Sequence, residues 1–96
     1  MAETLVVEVA ASRRERVRGL LGRESLGPGE ALLIPNCRSV HTLGMRLPIT
    51  VAFLDRDLRV IEVKRMRPSR LALPRLRARH VLECRADADI RVGQTL

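Results

Sequence analysis

The run Ile49-Thr50-Val51-Ala52-Phe53-Leu54, followed by Asp55-Arg56-Asp57 and then by Leu58 to Val63, constrains the fold more than any other stretch. Ile49, Val51 and Phe53 alternate with Thr50, Ala52 and Leu54, and strand side chains alternate between faces with period two. Asp55-Arg56-Asp57 supplies turn chemistry between the two runs. The pair reads as a β-hairpin with a strong inward face.

The same alternation recurs on both sides of this hairpin. Residues 3–9 read as a first strand, with Leu5, Val7 and Val9 on one buried face. Ala31-Leu32-Leu33-Ile34, after the Gly27-Pro28-Gly29 turn and before Pro35, reads as a buried strand. His80 to Arg85 is another, with His80, Leu82 and Cys84 sharing a face, and Ile90 to Leu96 suggests a turn and a closing strand. Only one segment has helical spacing. Ser12-Arg13-Arg14-Glu15 fits a capping box, Val17, Leu20 and Leu21 form an apolar stripe, and Gly22 is placed as a C-cap. A short helix over 13–21 follows. The expected fold is mainly β (α+β): one domain over 1–96, a compact β-barrel or two-layer sandwich with one short N-terminal helix.

The core of such a fold must be aliphatic, because Phe53 is the sole aromatic residue in 96. The formal charge is +7, and Lys64 is the sole lysine among the basic residues. A positive field attracts anionic partners at long range without naming one. Met1-Ala2-Glu3-Thr4 has no signal-peptide character, and no apolar run approaches the roughly 18 residues of a membrane helix. The expectation is a cytoplasmic monomer with no membrane partner, in which Cys37 and Cys84 are thiols. No cofactor is expected, and two cysteines without C-x-x-C spacing make a poor zinc site.

Chemistry concentrates in Cys37 to Arg46. Arg38, Ser39, His41, Thr42 and Arg46 are donors suited to carboxylate, phosphate or sugar hydroxyls, and Gly44 allows close backbone approach. A cleft for an anionic or polar small ligand, or for a protein partner, is the preferred reading. The bland alternative makes the arginines ordinary surface residues, while Ser39 and Thr42 satisfy local backbone groups. Cys37 and His41 could form a nucleophile–base pair. Four residues of extended strand span about 13 Å, so that pair needs a turn or bulge. Cys37, His41 and Met45 offer a thiolate, an imidazole and a thioether, a set suited to a soft metal such as Cu(I). The competing reading places Cys37 and Met45 in the core. Lys64, Arg65, Arg67, Arg70, Arg75, Arg77 and Arg79 fall within 64–79 with no acid among them, and Pro68 and Pro74 interrupt regular structure. This reads as a basic loop that could bind nucleic acid, weakly and nonspecifically, although no aromatic residue is free to stack on bases.

Taken in order, Arg18-Gly19-Leu20-Leu21-Gly22-Arg23, then Cys37 to Arg46, then Pro48-Ile49 leading to Phe53-Leu54-Asp55, then Val81-Leu82-Glu83, resemble the DUF192 family. Within it they are closest to the branch with a CRSVHT-x-GMR-x-PI signature. The resemblance implies a compact, mainly β barrel or sandwich with a helix near the N-terminus, and no established activity. Four departures from the family pattern stand out. Thr50 stands for an aspartate, Leu58 for a hairpin glycine and Asn36 for a proline before the cysteine. Cys84-Arg85-Ala86-Asp87 stands for a leucine-proline-alanine-glycine run.

Overall fold

The computed structural model describes residues 6–10, 12, 29–42 and 45–96. They form β1 (Val6–Val9), β2 (Glu30–Pro35), β3 (Val40–His41), β4 (Ile49–Leu54), β5 (Val60–Met66), β6 (Leu71–Ala72) and β7 (His80–Arg85). Five strands make one sheet in the order β1-β2-β7-β4-β5, and β3 pairs with β6 in a second, two-stranded sheet. β1 runs parallel to β2, and the other neighbours are antiparallel.

The hairpin is present as β4 and β5, with Ile49 opposite Met66 and Phe53 opposite Glu62. Its return strand starts later than the alternation suggests, at Val60, and runs on to Met66. The Asp55 carboxylate accepts the amides of Asp57 (2.9 Å) and Arg59 (3.0 Å), closing the turn. Leu58 has a φ of 62°. That left-handed conformation explains why a glycine suits this position.

β4 is buried along its whole length. Ile49, Val51 and Phe53 pack with Leu32, Ile34, Met66 and Val81 on one face of the sheet. Ala52 and Leu54 pack with Ala31, Val60, Leu82 and Cys84 on the other. Each fully buried large side chain contributes about 1.5–3 kcal/mol relative to exposure. The β3–β6 pair covers the first face through Val40 and Ala72, and Ala88 and Ile90 cover the second.

This arrangement corrects the barrel. A closed sheet would join its outermost strands, but β1 and β5 have no pairing with each other and the sheet is open. The apolar side chains form a cluster on each face instead of filling one lumen. Among the described residues the second sheet is the small β3–β6 pair. The helix expected over 13–21 lies outside the described residues, as does Gly44.

Three further expectations need correction. β1 has no buried face, because it is an edge strand whose four residues are all exposed. The basic segment is not wholly irregular, since Lys64 to Met66 belong to β5 and Leu71–Ala72 form β6. The tail does not close the sheet as a strand, and its pairing is one antiparallel bridge between Arg59 and Thr95.

His80, Leu82 and Cys84 do share a face, opposite Leu54, Ala52 and Thr50. His80 Nδ1 accepts the Asn36 amide at 3.2 Å. Thr50 is fully buried, and its hydroxyl donates to the Ala86 carbonyl at 2.8 Å. An ionised aspartate, which only accepts, could not make that bond.

Candidate anion-binding site

The end of β5 and the start of β6 enclose an open hollow of about 360 Å³, lined by Lys64, Arg65, Met66, Arg67, Arg70 and Leu71. Successive strand residues point to opposite faces. A hollow lined by 64, 65, 66 and 67 together therefore takes residues from both faces at the end of the strand. Four of its six lining residues are cations and none is an acid.

Met66 anchors one wall by burial in the core. Thr42 holds the turn that follows. Its hydroxyl donates to the Arg67 carbonyl at 2.6 Å and accepts the Arg70 amide at 2.7 Å. Its backbone amide donates to the Arg70 carbonyl at 2.8 Å, and its carbonyl accepts the Ser69 amide at 2.9 Å. One fully buried threonine thus fixes residues 67–70. Ser69, at the turn, has a φ of 61°. The Arg65 Nε donates to the Ala86 carbonyl at 3.2 Å. Arg70 makes longer bonds to the Pro68 and Ser69 carbonyls, at 3.4 and 3.3 Å.

A second clamp fixes the chain beyond β6. The Arg75 guanidinium forms a two-pronged pair with Glu62, with Nε–Oε1 and Nη2–Oε2 both at 2.9 Å. It also lies over the Phe53 ring, 4.9 Å from the centroid. The Arg75 hydrogen bonds hold the Glu62 carboxyl below the usual carboxylate range, against an opposing effect of burial, with Lys64 lowering it further. The sole acid next to the hollow's lining on β5 is therefore already engaged by Arg75, leaving Lys64, Arg65, Arg67 and Arg70 as a cationic set. The sequence shows Arg75 as one cation of the 64–79 segment, and no local pattern ties it to Glu62, thirteen positions earlier.

The residues of the 37–46 stretch differ in burial. Thr42 is buried, with its hydroxyl committed to the 67–70 turn. Arg38, His41 and Arg46 are exposed, and none of them lines this hollow. His41 pairs with Leu71 across the small sheet, so the two side chains share its exposed face while Val40 and Ala72 share the buried one. His41 thus stands beside the hollow's Leu71. The Arg38 carbonyl accepts the Arg75 amide at 3.0 Å. Cys37 is half-buried beside the core, with its thiol donating to the Ser39 carbonyl at 3.1 Å. Met45 is in the core. Among the described residues, no three His, Cys, Asp or Glu side chains gather to hold a metal ion. Phe53 is fully buried, so it offers no surface for stacking a base. No helix among the described residues is long and apolar enough to cross a membrane.

Fold and hollow together define a small, mainly β domain with an open sheet and a cationic pocket at one edge. The DUF192 family profile, described as "Uncharacterized ACR", matches residues 1–96, and the chain belongs to that family. It is 40% identical over 45 residues to the UPF0127 protein PH1112 of Pyrococcus horikoshii, a match covering 47% of this chain and 39% of the relative. The match thus spans well under half of that relative's length. A crystal structure of a protein of unknown function from Novosphingobium aromaticivorans superposes with a TM-score of 0.73 at 23% identity, covering 86% of this chain and 64% of that one. A structure from Sinorhizobium meliloti, described as a "putative transcription regulator", gives a TM-score of 0.65 at 22% identity, covering 85% of this chain and 69% of that one. At these identities the likeness is one of fold.

Proposed function

We propose that this domain binds an anionic small ligand in the hollow at the end of β5, with Thr42 of the 37–46 stretch holding the turn that carries Arg67 and Arg70. The observation that carries the reading is the lining itself, in which Lys64, Arg65, Arg67 and Arg70 surround one open space with no acid among them. Arginine forks suit the planar, bidentate geometry of carboxylate and phosphate. Thr42 is the positioning residue, because it sets where Arg67 and Arg70 start. His41, paired with the hollow's Leu71, is the candidate contact from the 37–46 stretch.

The test is a titration of the ¹⁵N-labelled chain with pyrophosphate and, separately, with citrate at low salt. Amide shifts should concentrate at residues 64–71. Arg67→Ala combined with Arg70→Ala, both at exposed positions, should weaken binding by about tenfold or more, which corresponds to at least 1.4 kcal/mol. Small shifts spread evenly over the basic surface, unchanged in the double variant, would sink the reading.

A further inference from the structure

Among the described residues β5 is the last strand of its sheet, and its outer rim is paired over only part of its length. At one end the chain's own tail lies along it. The Leu96 amide donates to the Leu58 carbonyl, Val60 donates to Gln94, and Gly93 donates to Val60, at 2.8–3.0 Å. This tail runs antiparallel to the strand at Arg59–Thr95. From Ile61 to Met66, β4 is the one strand paired with β5 among the described residues. The hollow with its four cations lies along that uncovered length.

An uncovered edge presents backbone donors and acceptors to any extended chain that can approach. Side-chain charge decides which chain can. A second copy of β5 paired in a register that sets Lys64 opposite Arg65 would bring like charges together, and like charges across a pair are unfavourable. An acidic strand meets the opposite situation. The tail shows that this rim accepts an antiparallel partner. Leu71, which is 63% exposed, adds an apolar seat in the same hollow.

We infer that the Ile61–Met66 rim is a docking edge for an extended acidic peptide, which adds a strand to the sheet and places its carboxylates among Lys64, Arg65, Arg67 and Arg70. Main-chain bonds supply affinity in this mode, and the pockets for alternate side chains supply selectivity. The inference rests on the anion-binding reading above and names the class of anion as a peptide carboxylate.

The test uses the intact ¹⁵N-labelled chain and a short acetylated peptide of alternating Glu and Val. Three comparison ligands accompany it: the Gln-for-Glu peptide, a peptide N-methylated at alternate backbone nitrogens, and pyrophosphate. The acidic peptide should shift residues 61–67 and slow their amide exchange. The Gln and N-methylated peptides should each bind about tenfold more weakly or worse, the first for lack of charge and the second for lack of strand donors. If the N-methylated peptide binds as well as its parent, the rim is not used and the inference is overturned. If pyrophosphate shifts the hollow while no peptide shifts the rim, the inference falls and the anion reading stands. If neither binds, both fall.

Discussion

β4 and the excursion from Arg67 to Arg79 hold their shapes by different physics. β4 is buried on both faces between β5 and β7, and five of its six side chains are apolar. In the excursion only Ala72 and Ala78 are buried, while Leu71, Leu73 and Leu76 are 63, 65 and 88% exposed. Its conformation comes from the Thr42 hydroxyl, which holds the 67–70 turn, and from Arg75, clamped to Glu62 over Phe53. Hydrophobicity therefore specifies the scaffold, and single polar contacts specify the site. The two regions should fail under different substitutions.

The largest effect belongs to the scaffold. Phe53→Ala should cost about 3–5 kcal/mol in urea unfolding, since it empties a fully buried aromatic position and also removes the seat of Arg75. Thr42→Val should cost about 1–3 kcal/mol, because the Arg70 amide and Arg67 carbonyl lose their partner. It should also blunt the anion-induced shifts at 64–71, and a full loss of stability with unchanged shifts would separate Thr42 from the hollow.

Glu62→Gln should cost less, about 0.5–1 kcal/mol at neutral pH, because the Glu62 side chain is 41% exposed and solvent screens the pair. The folded-state carboxyl sits below its ordinary value of 4.5. Its contribution is therefore complete above that value and is lost as pH falls through the lower folded one. Unfolding curves across the acid range should be steeper for the parent chain than for Glu62→Gln. The smallest effect is a gain. Ser69→Gly should stabilise by less than about 1 kcal/mol, by relieving a left-handed residue, as read from the melting temperature.

The legible part of the fold was the part with period-two alternation. β4, β5 and β7 follow directly from it, and so does the shared face of His80, Leu82 and Cys84. The same rule misled at β1, because alternation reports which side chains could be buried and not whether anything covers them. The open sheet was not legible, since closure depends on whether β1 and β5 meet, and no local pattern encodes that. At the site, the sequence offers Thr42 either as a donor to a ligand or as a partner of backbone groups, and its side chain bonds backbone groups 25 to 28 residues away. The cations of 64–70 were visible as a charge run, whereas their gathering around one hollow depends on the strand continuing to Met66. Leu58 is legible in retrospect, since a hairpin position that favours glycine is one where φ must be positive.

β1 comes first in the chain yet has the weakest place in the sheet. Among the described residues it pairs with β2 alone, in parallel, with no buried side chain of its own. A parallel partner needs a long crossover, so its loop-closure cost comes before any contact rewards it. The remaining strands can pair through antiparallel neighbours without waiting for it. Assembly should therefore run from the middle of the sheet outward, with the earliest-made strand docking last and its amides exchanging first with solvent.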